Sequence, residues 1–293
     1  MYYINMEINR NELIAKYYAL FDLEQQDKED MTITKFNKLI GVNFENFIKE
    51  KEKEITENIT LFENIKLSYF QERIKSIIFI LEMKNIKSII KDDFHLFECF
   101  GELKNSLFFF YEGQLEFLQK NYKDYVSVVG SRKTNKNMES WVEKNVPKNK
   151  IIVSGLAKGA DTIAHNNAIK NNQKIIIFPG VDITNKINAQ QEKIINYARE
   201  QGTILYSLPP FDKGNYYKGY FIERNKWMAQ ISFETYVLFF ENKSGTLSQM
   251  YEVSKKLTNN TIKLPSEVYK NNLEFMKKSS WTEKILKHLV EVD

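Results

Sequence analysis

The sequence has few of the residues that build covalent or metal-centred chemistry. Its one cysteine, Cys99, cannot form an internal disulfide, and its three histidines, His95, His165 and His288, are too scattered for metal-ligand spacing. No metal and no cofactor is expected. Long apolar runs are missing too: Ile77 to Leu81 and Leu107 to Tyr111 fall far short of a membrane span. The opening MYYINMEINRNELIAKYY carries charges inside what would be the apolar region of a secretion signal. A reducing, cytoplasmic setting without membrane contact is the expectation. There is no G-x-G-x-x-G, no G-x-x-x-x-G-K-[ST] and no G-x-S-x-G, and no nucleophile stands beside a histidine. Dinucleotide, nucleoside-triphosphate and serine-hydrolase readings therefore have no direct support. Charge of one sign is scarce as well, with 42 Lys+Arg against 38 Asp+Glu and a net charge of +4. So mild an excess points to a nucleic-acid partner only where the cations cluster.

What is present centres on Val126 to His165. Two β-branched runs, Val126 to Val129 and Ile151 to Val153, each end in a glycine turn with a cation beside it: Gly130-Ser131-Arg132, then Ser154-Gly155-Leu156-Ala157-Lys158-Gly159. Continuous apolar runs of this kind read as buried parallel strands. A strand that stops at glycine and opens into a helix aims backbone N–H groups and a positive helix end above the sheet edge. Two such turns side by side predict a shallow, positive anion site, where open α/β sheets bind ligands. Glycine turns also occur for purely geometric reasons; the matching cations Arg132 and Lys158 favour the functional reading.

The flanking sequence supplies the architecture. Up to about Lys91, apolar residues recur at helical spacing, as in Leu13, Tyr17, Leu20 and in Ile65, Tyr69, Ile77, Leu81. Residues 1–91 therefore read as a small helical domain, with KEKEKEITE (Lys49 to Glu57) as a solvated helix face. Residues 92–270 read as a doubly wound, mostly parallel Rossmann-like α/β sheet. Its expected strands lie in 107–113, Ile175 to Phe178, Thr203 to Ser207, Thr235 to Phe240 and Thr261 to Leu264, with helices Ala189 to Gln201 and from Gly245 to Leu257. Residues 271–293 read as a short helical tail. A third cationic feature, DKGNYYKGYF running into IERNKWMAQIS, interleaves Lys218, Arg224 and Lys226 with Tyr216, Tyr217, Tyr220 and Phe221. Such a mixture can neutralise phosphates and stack bases, or it can be a solvated loop whose aromatics cover the core edge. If all three features meet on one face, they form a strip fit for a single-stranded polynucleotide.

VSVVGSRK, SGLAKGADTIAH, IIIFPGVD, FIERNKWMAQIS, VLFFENKSGTLSQ and IKLP, in that order, resemble the motif series of the DprA/Smf family of bacterial DNA-processing proteins, over roughly Lys91 to Pro265. The resemblance implies an extended Rossmann-like fold, single-stranded DNA binding without hydrolysis, a homodimer, and handover of the strand to the recombinase RecA in natural transformation or recombination. It places DNA contacts on Ser131, Arg132, Gly155, Lys158, Lys218, Phe221, Arg224, Asn225 and Lys226, with Gly245 and Thr246 bordering the pocket. Here Ile222 replaces the family's usual proline and Lys226 the last arginine of its Arg-Asn-Arg. A tyrosine-proline element expected soon after Asp93 gives way to Leu96-Phe97, and the residues after Pro265 are too few for the winged helix some members carry.

An enzyme of the same broad superfamily is the alternative. Phosphoribohydrolases of the LOG type carry P-G-G-x-G-T-x-x-E, whereas Asn242 to Gln249 keeps only the Gly-Thr and puts Gln249 at the glutamate position. A neutral amide neither stabilises an oxocarbenium-like centre by charge nor acts as a general base. Asp161 and His165, four apart on one helix, read as a dipole-favouring carboxylate and a packed histidine rather than a catalytic pair.

Overall fold

The structure, a computed structural model, describes residues 2–28, 33–40, 44–57, 61–90, 107–133, 136–180, 187–206, 209–211, 217–242, 244–256 and 260–293. Cys99, His95, Tyr216 and the departures at Asp93 and Leu96-Phe97 lie outside them. The chain divides into two compact units, Met1–Ser88 and Ile89–Asp293.

The first unit holds helices α1 (Tyr2–Asp27), α2 (Ile33–Ile40), α3 (Phe44–Glu57) and α4 (Leu61–Met83). Tyr17, Phe36, Ile48, Phe70, Ile77 and Leu81 are all at most 2% exposed and form its core. Tyr17 meets Phe36 at 5.3 Å between ring centroids and donates its hydroxyl to Asn37 Oδ1 at 2.5 Å. Arg73 Nε donates to Asp22 Oδ2 at 2.7 Å, tying α4 to α1. Along α3 the pairs Lys49–Glu45 and Lys53–Glu57 keep to the solvent face. One member of the expected apolar stripe does not face inward: Tyr69 is 38% exposed.

The second unit is built on a sheet in the order β1-β2-β6-β5-β4-β3-β7-β8-β9. The strands are β1 (Lys87–Ile90), β2 (Phe108–Gly113), β3 (Tyr125–Val129), β4 (Ile151–Ser154), β5 (Ile175–Ile177), β6 (Gly202–Tyr206), β7 (Glu234–Val237), β8 (Ile262–Pro265) and β9 (Leu289–Val292). From β6 to β9 every neighbouring pair is parallel, and β2 runs antiparallel to β6 with Phe110 opposite Tyr206. β3, β4, β5 and β6 are buried along their whole length, as continuous apolar runs require. The connecting helices are α5 (Lys136–Asn145), α6 (Ala160–Lys170), α7 (Ala189–Gln201), α8 (Tyr217–Ile231), α9 (Gly245–Ser254), α10 (Ser266–Met276) and α11 (Ser280–Leu286).

Residues 271–293 depart from the expected helical tail. After α10 and α11, β9 pairs in parallel with β8, Ile262 opposite Leu289, so this segment completes the sheet. Four residues in which only Leu289 and Val292 are partly shielded leave too weak an alternation to read as a strand from sequence.

The order reverses at β3. The chain winds from β3 through β4, β5 and β6 on one side and then returns to β7 on the other, so the loops at the carboxyl ends of β4 and β7 part and leave a crevice. α8, which carries the third cationic feature, is anchored beside it by Trp227, whose ring meets Phe109 at 4.1 Å and Phe178 at 6.3 Å. At the other end of α8, Lys256 Nζ donates to Ala229 O at 3.1 Å and Ser232 O at 2.5 Å.

Candidate nucleic-acid interface

The two glycine turns touch. Gly159 has φ +90, and a Cβ there would lie 2.5 Å from Ser131 O and 2.7 Å from Arg132 Cα. Ala160 N donates to Ser131 O at 3.2 Å, and Ser131 N donates to Phe239 O at 2.8 Å. The loops after β3, β4 and β7 thus form one hydrogen-bonded ledge above the sheet edge.

The second turn is fixed by side chains from two helices. Asp161 Oδ2 accepts from Ala157 N at 3.1 Å, Thr162 Oγ1 donates to Ala157 O at 3.0 Å, and Gln191 Nε2 donates to Leu156 O at 2.7 Å. His165 Nε2 lies 2.9 Å from Gly155 O; a carbonyl only accepts, so this nitrogen carries the proton. Burial lowers the His165 pKa, outweighing the Gly155 carbonyl and the Asp161 charge. Asp161 and His165 are therefore scaffolding for the turn. The expectation that the turn amides point outward needs correcting, since those of Ser131, Ala157 and Ala160 are consumed internally. Those of Arg132, Lys158 and Gly159 have no partner among the described residues.

Arg224 reaches the ledge from α8. A Cβ on Gly155 would lie 2.7 Å from its Nη1, and a Cβ on Gly180 would lie 3.3 Å from the same atom and 2.4 Å from Phe221 Cε1. Glycine at 155 and 180 makes room for the guanidinium and for the ring it covers at 5.2 Å. Burial pushes the Arg224 pKa down, Arg132 pushes it further, and Asp161 opposes both. An arginine stays protonated regardless. The result is a half-buried positive charge with a second cation near it and one carboxylate to balance them.

Arg132 and Lys158 are exposed and have no ion pair among the described residues. Ser131 is half-buried, and its hydroxyl accepts from Lys133 N at 3.2 Å. Asn225 has another role than the contact expected of it. It is 3% exposed; its Oδ1 accepts from Arg224 Nε and Nη2 at 3.3 and 3.1 Å, and its Nδ2 donates to Gly245 O at 3.1 Å. It positions Arg224 against the first turn of α9. Gly245 is exposed there, while Thr246 is 8% exposed.

Lys226 is not brought into the cluster. Two residues along a helix place it about 200° from Arg224, and its Nζ pairs with Glu223 Oε2 at 3.1 Å. Lys218 lies in the first turn of α8, its side chain outside the described residues, as are 212–216 of the same loop. Gly180, Asp161 and Gln191 were not among the expected site residues. Gly180 carries a signal in the Pro-Gly that closes β5; the other two read as ordinary helix-start polar residues. Gln249 is 2% exposed within α9, and its amide nitrogen has no hydrogen-bond partner among the described residues. Among the described residues, no three His, Cys, Asp or Glu side chains could hold a metal, and no helix is long and apolar enough to cross a membrane.

The site is thus a crevice at the switch point of a largely parallel, Rossmann-like sheet, floored by glycine and edged by cations. More specifically, residues 98–279 match the model of the DNA recombination-mediator protein A family, and the chain belongs to that family. It is 34% identical over 126 residues to Protein Smf of Borreliella burgdorferi, covering 41% of this chain and 40% of that protein. It is 31% identical over 141 residues to DNA processing protein DprA of Streptococcus pneumoniae, covering 47% of this chain and 48% of that protein. These matches span less than half of either relative's own length. In fold, the X-ray structure of DNA processing protein A from Streptococcus pneumoniae aligns with TM-score 0.60 and 19% identity, covering 96% of this chain and 94% of that one. The DNA processing protein A of Helicobacter pylori, solved for its single-stranded DNA binding mode, aligns with TM-score 0.50 and 18% identity, covering 69% and 94%.

Proposed function

We propose that this chain binds single-stranded DNA on the ledge formed by the turns after β3 and β4 and the face of α8, and that it holds the strand without cutting it. The observation that carries this is the approach of Arg132 and Arg224 to Gly159, Gly155 and Gly180, with the exposed Lys158 next to Gly159 in the chain and the Phe221 ring beneath the Arg224 guanidinium. Phosphates sit against the exposed cations and the amides of Arg132, Lys158 and Gly159. Arg224, whose Nε and Nη2 donate to Asn225, offers its partly desolvated Nη1 edge, and such charge-assisted bonds are about twice as strong as neutral ones. A base stacks at the Phe221 edge, which tolerates any sequence.

The bound strand is handed to a RecA-type recombinase by a homodimer in the cytoplasm, during natural transformation or recombination. The family's description as a DNA recombination mediator supports the recombination part; the recombinase partner, the homodimer and the setting rest on the motif resemblance alone.

Fluorescence anisotropy of a labelled oligothymidylate, single-stranded and then duplexed, at two salt concentrations tests the binding. Tight, salt-sensitive binding with a strong preference for the single strand is expected. No binding at low salt contradicts it. Loss of the strand preference would leave an unselective polyanion site. Sedimentation at micromolar protein should show a dimer, and a monomer would count against that part.

A further inference from the structure

A groove of about 560 Å³ lies at the same carboxyl edge of the sheet, beyond β7. That volume falls within the roughly 300–1,000 Å³ range of small-ligand sites. Its floor is apolar: Leu238 and Phe239 follow β7, Pro265 closes β8, and Val268 comes from the first turns of α10. Trp141 of α5 forms a wall, and its indole N–H donates to Val292 O at 2.9 Å, so the ring is a fixed platform.

Three polar side chains line this apolar slot without a partner among the described residues: Asn137, Glu267 and Asn271. At the rim Lys133 Nζ is paired with Glu241 Oε1 at 2.7 Å. The groove's one lysine is thus neutralised, and Glu267 leaves a surplus negative charge. Such a slot repels phosphate and suits a flat, apolar group that carries hydrogen-bond donors.

The groove is continuous with the proposed strand site. Lys133 directly follows Arg132, and Phe239, whose carbonyl holds Ser131 N at 2.8 Å, lines the groove. A strand gripped at Arg132 therefore passes the mouth of a slot that refuses its backbone.

We propose that this groove is a nucleobase subsite, taking one unstacked base of the bound strand against Trp141 and selecting bases with an exocyclic amine. The inference rests on the single-stranded DNA reading above. Glu267 only accepts hydrogen bonds, and the two asparagines can do either. Cytosine, adenine and guanine each present an amino group to such an acceptor, whereas thymine offers O4 and a methyl group at the corresponding edge.

The test compares oligodeoxycytidylate with oligodeoxythymidylate at pH 7.5 and one salt concentration, by anisotropy, on the full chain and on Glu267→Gln and Asn271→Leu. Both substitutions fall on exposed positions of α10. The wild type is expected to hold the cytidylate about tenfold more tightly. Both variants should bring that ratio close to one while leaving thymidylate affinity within about twofold. A wild-type ratio near one, as a groove filled by a protein segment would give, overturns the subsite and leaves strand binding intact. So does a ratio that neither variant moves. Failure of both oligonucleotides to bind overturns the strand-binding reading, and the subsite with it.

Discussion

A Cβ at position 155 would lie 2.3 Å from Asp161 Oδ2 and 2.7 Å from Arg224 Nη1. Gly155→Ala must displace both, and Asp161 Oδ2 is the acceptor of Ala157 N, so a stability loss of about 1–3 kcal/mol is expected, read by urea unfolding. With the guanidinium displaced, single-strand affinity should fall about tenfold or more, the loss of one charge-assisted contact. Gly159→Ala is a different case, because φ is +90 and backbone atoms lie within 2.7 Å. It should destabilise by about 1–3 kcal/mol, measured by urea unfolding. Arg132→Ala and Lys158→Ala remove exposed cations that hold nothing else together. Each should weaken binding to all sequences alike and leave the fold intact, read by anisotropy and circular dichroism. At this scale the sequence showed the glycines and cations clearly, because a cation beside a glycine turn is a local pattern. It did not show that Asn225 is buried and spent on Arg224, nor that Lys226 is turned away to Glu223. Both depend on the phase of α8 about its axis, which Trp227 sets through contacts with Phe109 and Phe178.

Among the elements, α8 and α6 position the site, and each has a single residue that tests it. Lys256 places its ammonium on two carbonyls at the carboxyl end of α8 and on the Tyr122 hydroxyl. Lys256→Met removes the ammonium from Ala229 O and leaves Ser232 O only the Tyr122 hydroxyl, at 2.8 Å; a loss of roughly 1.5–3 kcal/mol is expected for bonds to a charged group, read by urea unfolding. In α6, His165 is fully buried and its pKa is lowered by that burial. Below its ordinary value of 6.5 the unfolded chain takes up a proton that the folded chain refuses. Stability should therefore fall as pH drops below 6.5, by at most about 1.4 kcal/mol per pH unit for one proton. Urea melts at pH 7.5 and 5.5 should show this loss, and His165→Asn should shrink it; an undiminished loss would place the titration elsewhere. The helices and central strands were legible because their apolar periods are long or their runs continuous. The antiparallel pairing of β2 with β6 and the addition of β9 were not, since partner and direction are set by residues far apart in sequence.

For the whole molecule, the strand order explains why features from three separate sequence regions converge. β3 sits between β4 and β7, so the turns near residues 131, 157 and 239 become neighbours although the chain between them makes several crossovers. Convergence was conditional at the sequence level, because helical spacing says nothing of which sheet edge α8 overlies. The central claim is that Arg132, Lys158 and Arg224 together grip the phosphates of a single strand. Its most direct test is the slope of log affinity against log salt for an oligothymidylate, on wild type and on the triple alanine variant. Each lost phosphate contact should lower the slope by about 0.7, so the variant's slope should be shallower by about 2. An unchanged slope, with folding intact, would mean that the strand is held elsewhere on the molecule.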